Sequence, residues 1–545
     1  MKIVEEPWPS GQPLAEALIN NYPAVEHLYG YNPRLDESWK SRLNYLHSSD
    51  GKRVDRSKLV AALREFNHRY NSHEAVDHAL DKLALKETAV IVGGQQSGLF
   101  TGPLLVIYKA VTIIKAAQQA TAKLGHHVVP VFWIAGEDHD WDEVNHTYVL
   151  SPDLHIRRIR IPRDSDHRLP VSWTEVSQKE WEEAAHELEQ LLPGSEFKED
   201  MMSVFKQAAS ESSTLTECFA RLLGTWFGRY GLILLDSADP GLRTLEAGVF
   251  EKIIDRNDEL EQAYHMSADE VVSFGCTPQA DVAQDGANLF YINDNERLLL
   301  FKRDGKFSDR KGKVAFSQEE LLAELRDHPD RFSNNVLTRP MMQESLLPVL
   351  GSVLGHGEIA YWALTGRAFH VLGLEMPILL PRESFTVMEG TLQKHMEKYG
   401  LSWDDVKDRD IFSGKREAWL SEQDALHLDE QFDEIKAAFT GVYNPLIEQL
   451  GQIQNGLIKL GNANRDKIVD QIEYLRGKAK DALAKTNEAG LRHFDRIELS
   501  LFPQNKLQER VYNAFYYLNR YGEDWIDGLV RIPYDVTGTH RVIYL

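Results

Sequence analysis

Short, continuously apolar runs alternate with helical patterns along much of the chain. The runs cover 88–94, 128–135, 231–236 and 376–381. A run that is apolar at every position is typical of a parallel strand covered on both faces. Between the runs, apolar residues at three-to-four spacing predict helices, including one over 104–124. These patterns predict an α/β fold with a doubly wound parallel sheet assembled from distant parts of the chain.

Two stretches interrupt this alternation. Residues 147–225 are polar and acidic, and residues 275–335 carry a predicted hairpin around Leu289 to Phe301. We interpret both stretches as insertions at the rim of the sheet. Near the C-terminus a helix is predicted over 508–521, and the apolar run 540–545 is interpreted as an edge strand.

A different pattern covers residues 425–500. Apolar residues there alternate in steps of four and three, which is a coiled-coil signature. Turn residues at 454–456 and at 461–464 favour an antiparallel helix pair over one uninterrupted rod. The repeat comprises Leu446, Leu450, Ile453, Leu457, Leu460, Ile468, Ile472, Leu475, Ala479 and Ala482.

Composition excludes several classes of protein. The 545 residues carry a formal net charge of −22, which argues against a broad nucleic-acid footprint because phosphate binding needs clustered Lys and Arg. Cys218 and Cys276 are far apart, so neither a disulfide framework nor a thiolate zinc site is predicted. The sequence shows neither a signal-peptide pattern nor a run of the ~18 apolar residues that a membrane span needs, so we expect a cytoplasmic protein.

A glycine-rich loop follows the first predicted strand. Glycines let the backbone approach a ligand closely, and the N-terminus of the following helix favours an anion. The loop has neither P-loop nor GxGxxG spacing, and the structural alternative is a glycine turn with a helix cap. We predict substrate or phosphate binding by Gly94, Gln95, Gln96, Gly98, Thr101 and Gly102.

An acidic cluster follows the second predicted strand, where open parallel sheets bind ligands. Crowded carboxylates raise one another's pKa, and a histidine between them can relay a proton near neutral pH. The alternative is a solvated acidic loop in which the histidine only orients a carboxylate. Asp138 or Asp140 could also bind magnesium, although carboxylate spacing alone fixes no metal. The predicted catalytic residues are Glu137, Asp138, His139 and Asp140.

Three further polar residues are candidates for anion binding. Arg339 could clamp a substrate carboxylate bidentately, while the alternative is an ordinary helix start. Arg382 and Ser384 follow the last predicted strand and could meet a phosphate, while the alternative there is a strand-ending turn.

Five segments, in the same order along the chain, resemble one family. That family is the cysteine-adding enzymes of bacillithiol synthesis, and the resemblance covers essentially the whole chain. The segments are GQQSGLFTGP (94–103), FWIAGEDHDWDE (132–143), GEIAYW (357–362), PRESF (381–385) and LFPQNKLQER (501–510).

The resemblance implies a Rossmann-like core with two connecting insertions and a C-terminal α-helical coiled coil that supports a homodimer. It also implies the last step of bacillithiol assembly, in which L-cysteine is joined to the amine of glucosaminyl-malate. The regions expected on this basis are 1–146 and 226–385 for the two halves of the core, 147–225 and 386–424 for the insertions, 425–500 for the coiled coil and 501–545 for a segment that returns to the core.

The family's core resembles class I aminoacyl-tRNA synthetases, which implies the use of ATP or ADP, with magnesium as a candidate. This chain has neither the HxGH nor the KMSKS motif that holds ATP in those synthetases, so an adenylate mechanism cannot be transferred residue by residue. On the ATP hypothesis, the 95–102 loop and Arg339 or Arg382 bind the anionic groups, and the cluster at 137–140 deprotonates the amine. Two alternatives are a metabolite sensor that recruits partners through the coiled coil, and a transferase on the same sheet.

Overall fold

The computed structural model describes residues 2–163, 169–294 and 296–545. The chain divides into two compact units. The first comprises Met1–Val387 with Lys506–Ile543, and the second comprises Met388–Asn505 with Tyr544–Leu545. The expected division between 386–424 and 425–500 therefore falls inside the second unit. Among the described residues, the structure has no helix with the length and apolar character needed to cross a membrane.

The strands of the described residues form four sheets. In chain order they are β1 (Lys2–Glu5), β2 (Ala89–Gln95), β3 (Val128–Ile134), β4 (His146–Leu150), β5 (Ile156–Arg160), β6 (Ile233–Asp236), β7 (Gly286–Asn293), β8 (Glu296–Arg303), β9 (Lys306–Asp309), β10 (Ala315–Ser317), β11 (Phe332–Asn334), β12 (Val349–Leu354), β13 (Ile378–Pro381), β14 (Ser384–Met388) and β15 (His540–Tyr544).

Helices surround these sheets and make up the second unit. In chain order they are α1 (Pro13–Asn20), α2 (Glu26–Tyr29), α3 (Asp36–Ser48), α4 (Arg56–Tyr70), α5 (Glu74–Leu83), α6 (Leu105–Leu124), α7 (Trp141–Val144), α8 (Gln178–Leu191), α9 (Lys198–Ser210), α10 (Leu215–Phe227), α11 (Pro240–Asp255), α12 (Asn257–Ser273), α13 (Gln318–Asp327), α14 (Arg339–Leu346), α15 (His356–Trp362), α16 (Gly366–Val371), α17 (Gly390–Lys398), α18 (Trp403–Lys407), α19 (Arg409–Glu422), α20 (Leu428–Ile453), α21 (Gly456–Thr486), α22 (Glu488–Leu501), α23 (Ala514–Tyr521) and α24 (Asp524–Arg531).

The core is a five-stranded sheet in the order β13-β12-β2-β3-β6, with every neighbouring pair parallel. Numbered along the chain, these strands give the order 3-2-1-4-5 of a Rossmann fold, so the predicted doubly wound parallel sheet is confirmed. The strand order reverses between β2 and β12, where such sheets form their ligand crevice. The sequence analysis missed β12, although this strand lies next to the centre of the sheet.

The strand β3 shows why continuous apolar runs predict this sheet. All seven of its residues are buried, because helices cover both faces. Pro130 lacks the N–H that a central strand needs on one side, but β3 pairs with β6 only from Val131 onwards. The helix α6, which connects β2 to β3, is buried along most of its length. It ends at Gly125, which adopts the left-handed conformation typical of a helix C-terminus.

Two smaller sheets differ from the sequence predictions. The predicted hairpin near Leu289 to Phe301 is present as β7 and β8, but it belongs to a five-stranded sheet in the order β10-β9-β8-β7-β11. The C-terminal run 540–545 was predicted to be an edge strand. That prediction is wrong, because β15 lies between β1 and β14.

Helices α17 to α22 make up most of the second unit, and α20 and α21 form an antiparallel pair. Lys436 Nζ lies 2.7 Å from Glu473 Oε1, and Tyr443 Oη lies 2.6 Å from Asn464 Oδ1. Residue numbers therefore rise along α20 as those of its contacts on α21 fall. The reversal occurs at 454–455, and the second candidate turn at 461–464 lies inside α21.

Candidate active site

A buried lysine joins the two strands at the point where the sheet order reverses. Lys109, on α6, is 1% exposed. Its Nζ donates to Gly94 O at 2.6 Å, to Gln95 Oε1 at 3.0 Å and to Glu358 Oε2 at 2.6 Å. Gly94 and Gln95 end β2, whereas Glu358 lies in the first turn of the helix that follows β12. Lys109 therefore fixes both walls of the crevice.

The same Glu358 oxygen caps α15, since it accepts the backbone N–H of Gly355 at 2.7 Å. Burial lowers the pKa of Lys109, and the neighbouring Glu358 carboxylate opposes that shift. The side chain of Glu358 is 30% exposed, in contrast to that of Lys109. The partly exposed Glu358 carboxylate is thus held by an ion pair with the buried Lys109 ammonium.

The second half of the glycine-rich loop is buried and strained. Phe100 and Thr101 have φ values of 53° and 71°, in the left-handed region that non-glycine residues rarely adopt. The side-chain amide of Asn513 donates to Phe100 O at 2.8 Å and to Gly102 O at 2.6 Å. A Cβ on Gly98 would lie 2.8 Å from Gly102 Cα. Thr101 and Gly102 were predicted to bind ligand, but both are buried.

The first half of the loop reaches the acidic cluster. Gln96 Nε2 donates to Asp138 Oδ2 at 3.1 Å. Arg339 Nη2 lies 3.5 Å from the same oxygen, and Arg297 Nη1 lies 3.4 Å from Asp138 Oδ1. Three elements of the first unit therefore converge on one carboxylate: the loop after β2, the start of α14 and the strand β8. The structure brings together predicted residues Gln96, Asp138 and Arg339.

These neighbours control the charge of Asp138. Burial acts to raise the pKa of this carboxyl group, but the positive charges of Arg339 and Arg297 outweigh burial, and the hydrogen bond from Gln96 adds to them. The pKa of Asp138 is consequently held below its ordinary value. A carboxylate of this kind is suited to orienting a hydrogen-bond donor, and it is a weak base at neutral pH.

His139 is oriented by the same arginine. Arg297 Nη1 lies 3.1 Å from His139 Nδ1. Because a guanidinium can only donate hydrogen bonds, Nδ1 is the acceptor and the proton of a neutral ring is assigned to Nε2. The imidazole also packs against Phe290, with ring centroids 5.9 Å apart. Nε2 of a neutral His139 is then a hydrogen-bond donor.

Glu137 does not face the crevice. Its side chain is fully buried, and its Oε2 lies 2.8 Å from Arg243 Nη2 and accepts the backbone N–H of Asn334 at 3.1 Å. Arg243 also holds Glu246 at 2.7 Å. The prediction of Glu137 as one of the catalytic residues is therefore corrected. It is the counter-ion of a buried arginine, and a buried partner of this kind is costly to remove.

Asp140 is exposed, unlike the three residues before it. Magnesium prefers a set of oxygen ligands. The Asp138 carboxylate is instead surrounded by one amide and two guanidinium groups, which repel a cation, so the residues there do not fit that ion. Within the described parts of the chain, no group of three or more His, Cys, Asp and Glu side chains is arranged to hold a metal.

Arg382 and Ser384 are also placed differently from the prediction. Arg382 forms a buried bidentate pair with Glu509, at 2.6 Å and 3.2 Å, and Ser384 Oγ lies 2.7 Å from His540 Nδ1. Both follow β13, three strands from β3, which corresponds to about 14 Å at the usual strand spacing. Neither residue contacts Asp138. Glu509 and His540 occupy the hydrogen-bonding groups that were predicted to bind a phosphate.

Sequence reasoning missed four residues that shape this site. Lys109 lies in a helix, where a lysine is common, and Asn513 lies just before a helix, where an asparagine is common. Arg297 and Arg243 lie within a strand and a helix that were predicted from their apolar residues. An arginine inside such an apolar pattern is itself a signal, because a charged residue is almost never buried without a partner.

The fold and the charged edge of its sheet define a Rossmann-like protein with a helical C-terminal unit. Two family descriptions cover almost the whole chain. "Bacillithiol biosynthesis BshC, N-terminal Rossmann-like domain" matches residues 1–383, and "Bacillithiol biosynthesis BshC, C-terminal coiled-coil domain" matches residues 385–545. The chain belongs to the BshC family of bacillithiol biosynthesis.

Relatives that bear the name "Putative cysteine ligase BshC" match over nearly their full length. The protein of Bacillus cytotoxicus is 37% identical over 512 residues, which is 94% of each chain. The protein of Geobacillus kaustophilus is 36% identical over 550 residues, covering 100% of both chains. The resemblance found in the five sequence segments is thereby confirmed.

Proposed function

We propose that this protein is a carbon–nitrogen ligase that joins L-cysteine to the amine of glucosaminyl-malate, as the last step of bacillithiol synthesis. The names of its relatives support a cysteine ligase. The observation that carries the proposal is the Asp138 carboxylate between Gln96, Arg297 and Arg339 at the ligand-binding edge of the sheet. Such a site offers guanidinium donors to a substrate carboxylate and a carboxylate acceptor to an N–H group.

Arg339 is suited to binding a substrate carboxylate. Its contact with Asp138 is long, at 3.5 Å, its Nε is 3.9 Å from Glu137, and its side chain is 19% exposed. The guanidinium therefore keeps donors for a second anion, which a carboxylate could accept bidentately. Cysteine and the malyl group both supply such an anion.

Amide formation requires an activated carboxyl group, because a free carboxylate is a poor electrophile. ATP is the proposed activating co-substrate, which places a phosphate-bearing leaving group on the carboxyl carbon of cysteine. Of the predicted loop residues, Gly94, Gln95, Gln96 and Gly98 retain partial exposure and would contact the anionic oxygens. Holding the amine and the activated carbonyl in line can lower the barrier by about 7–11 kcal/mol.

The test is product formation from cysteine, glucosaminyl-malate and ATP, followed by mass spectrometry. The wild-type protein should yield the amide, and Asp138→Asn should lower kcat/KM by roughly 10²-fold, the usual effect of removing one electrostatic contact. Asp142→Asn is the matched control, because Asp142 lies in the same segment but is exposed and pairs with Arg160 at 2.8 Å.

The outcomes separate the alternatives. A folded Asp138→Asn protein with wild-type turnover contradicts the assigned site. Ligand binding without any turnover by the wild type favours the sensor, and a product that carries a nucleotidyl or glycosyl group favours the transferase.

A homodimer through the coiled coil forms part of the proposal. The α20 residues Ile435, Val442, Leu446 and Ile453 are 53%, 78%, 46% and 77% exposed. Their spacings of seven, four and seven place them within about 20° of one line along the helix. This stripe is separate from the intrachain face, which includes the buried Ile447. A second copy of the chain would cover the stripe.

A further inference from the structure

Four side chains from four separate segments form a hydrogen-bonded chain beneath the acidic cluster. Ser97 Oγ lies 2.7 Å from Thr216 Oγ1, Ser172 Oγ lies 3.0 Å from Thr216 Oγ1, and Ser172 Oγ lies 2.7 Å from Asp236 Oδ2. Ser97 belongs to the glycine-rich loop, and Asp236 ends β6. The chain therefore runs along the carboxyl edge of the parallel sheet.

This hydrogen-bonded row of side chains passes directly beside Gly136. A Cβ at that position would lie 1.9 Å from Ser172 Oγ and 2.3 Å from Asp236 Oδ1, so only glycine fits. Backbone bonds hold Ser172 against the same segment, since its N–H donates to Gly136 O at 3.0 Å and the N–H of Val171 donates to Asp138 O at 2.7 Å. Ser172 is thus fixed beside Asp138.

Exposure differs along the chain of hydroxyl groups. Ser97, Thr216 and Asp236 are 0%, 3% and 5% exposed, whereas Ser172 is half-buried. Ser172 is therefore the member of this hydroxyl chain that is accessible from outside the protein.

The chain has a direction, because each hydroxyl group has one proton to donate. With Asp236 ionised, the hydroxyl group of Ser172 donates to Asp236. With Asp236 protonated, the carboxyl group can donate to Ser172, and Ser172 then donates to Thr216 Oγ1. A change of proton at one end is accommodated by reorienting hydroxyl groups, without leaving a buried polar atom unpaired.

We propose that Ser172 contacts the attacking amine and relays its proton to Asp236, which acts as the positioning residue behind it. This inference rests on the proposed ligase function and deepens it. As the bond between the amine nitrogen and the cysteine carboxyl carbon forms, the nitrogen proton passes to Ser172 Oγ and the hydroxyl proton of Ser172 passes to Asp236. The bond from that carbon to the phosphate-bearing oxygen then breaks, and the phosphate leaves with the electron pair.

The surroundings of Asp236 suit a proton acceptor near neutral pH. Burial raises the pKa of Asp236 to about 6, although the hydrogen bonds from Ser172 and from the Ala238 N–H oppose this shift. The charged groups that face it are Asp239, which raises its pKa, and Arg243, which lowers it. Glu246 lies behind Arg243 and interacts with Asp236 in the same buried cluster.

The experiment is the pH profile of kcat at saturating substrates, measured for the wild type and three variants. Wild-type kcat should fall below a pH of about 6, as Asp236 becomes protonated. Asp236→Asn should lower kcat by roughly 10²-fold or more and abolish the acidic limb, with little change in KM. Ser172→Ala should act in the same direction, and because Ser172 is half-buried this variant decides the matter if Asp236→Asn does not fold.

Asp239→Asn is the matched control. Asp239 caps α11 through the Gly241 N–H, a role that asparagine can keep, and it lies outside the hydroxyl chain. This variant should keep the plateau of kcat and move the acidic limb to lower pH. The inference is overturned if folded Asp236→Asn and Ser172→Ala retain the wild-type plateau and limb. Absence of product from the wild type would instead contradict the ligase function itself.

Discussion

Arg297 Nη1 lies 3.1 Å from His139 Nδ1 and 3.4 Å from Asp138 Oδ1. One guanidinium of the antiparallel sheet thus fixes two consecutive residues at the edge of the parallel sheet. Arg297→Met should raise the pKa of Asp138 and lower kcat/KM by roughly 10²-fold, because both the charge and the orientation of the site are lost. NMR titration of the Asp138 carboxyl and steady-state kinetics measure the two effects.

Arg303→Met is the control for this variant. Arg303 lies on the same strand, is exposed and pairs with Asp285 at 2.9 Å. It should behave like the wild type. Equal losses in the two variants would show that the strand, rather than the contact with Asp138 and His139, supports activity.

Glu137→Ala should act mainly on stability. Removing this carboxylate leaves Arg243 with only Glu246 in a buried site, and breaking a buried ion pair costs about 3–5 kcal/mol. Chemical denaturation measures the loss. The double variant Glu137→Ala with Arg243→Met should recover part of it, since no unpaired cation remains. A fully stable single variant that is inactive would restore Glu137 as a catalytic candidate.

Asn513 should be required for the left-handed conformation of the glycine-rich loop. Asn513→Ala removes both donors to the carbonyl groups of Phe100 and Gly102, which should lower the free energy of unfolding by about 1–3 kcal/mol. Hydrogen exchange of residues 98–103 should increase. Asn513→Asp keeps the oxygen that accepts the Phe515 N–H but cannot donate. If the aspartate variant is as protected as the wild type, the two donated bonds do not hold the loop.

The pH dependence of stability should reflect Glu246. Burial raises the pKa of this carboxyl group to about 8, against the opposing charge of Arg243. The ordinary value in an unfolded chain is about 4.3, so the folded state keeps a proton that the unfolded state has lost. The stabilisation is complete below that value and is lost as pH rises through about 8, at up to about 1.4 kcal/mol per pH unit. Denaturation of Glu246→Gln at several pH values should give a flatter dependence than the wild type, and an unchanged slope would contradict this assignment.

The exposed stripe on α20 should form a dimer interface. Val442→Glu combined with Ile453→Glu puts two charges on it and should yield monomers in sedimentation analysis, because buried unpaired charges are costly. Gln452→Glu is the control, since Gln452 is exposed but points about 100° away from the stripe. A double variant with an unchanged dimer mass would show that the copies meet elsewhere.

The sequence predicted most of the core because burial on both faces leaves a simple signal. Strands β2, β3, β6 and β13 are apolar runs, and each was found. Strand β12 was missed because Gly351 and Ser352 interrupt its run. A Cβ at Gly351 would lie 2.9 Å from Leu380 Cδ1 and 3.1 Å from Ile91 Cδ1, so close packing with both neighbouring strands requires the residue that hid the pattern.

The candidate site was predicted only where neighbours in sequence are also neighbours in space. The acidic cluster and the glycine-rich loop follow adjacent strands, and Gln96 does contact Asp138. The arginine that orients His139 is 158 positions away and lies in an inserted sheet. No local pattern indicates such a contact, because it depends on how the insertion packs against the core. Burial of Glu137 was equally hidden from sequence, since its partner Arg243 lies on α11.

The position of β2 between β12 and β3 has a consequence for synthesis on the ribosome. When the first half of the core has been made, β2 can pair with β3, but its other edge remains open until β12 emerges more than two hundred residues later. An open, apolar strand edge is a template for aggregation. The nascent chain therefore carries this unpaired edge until β12 has been made, and the parallel sheet can be completed only after that point.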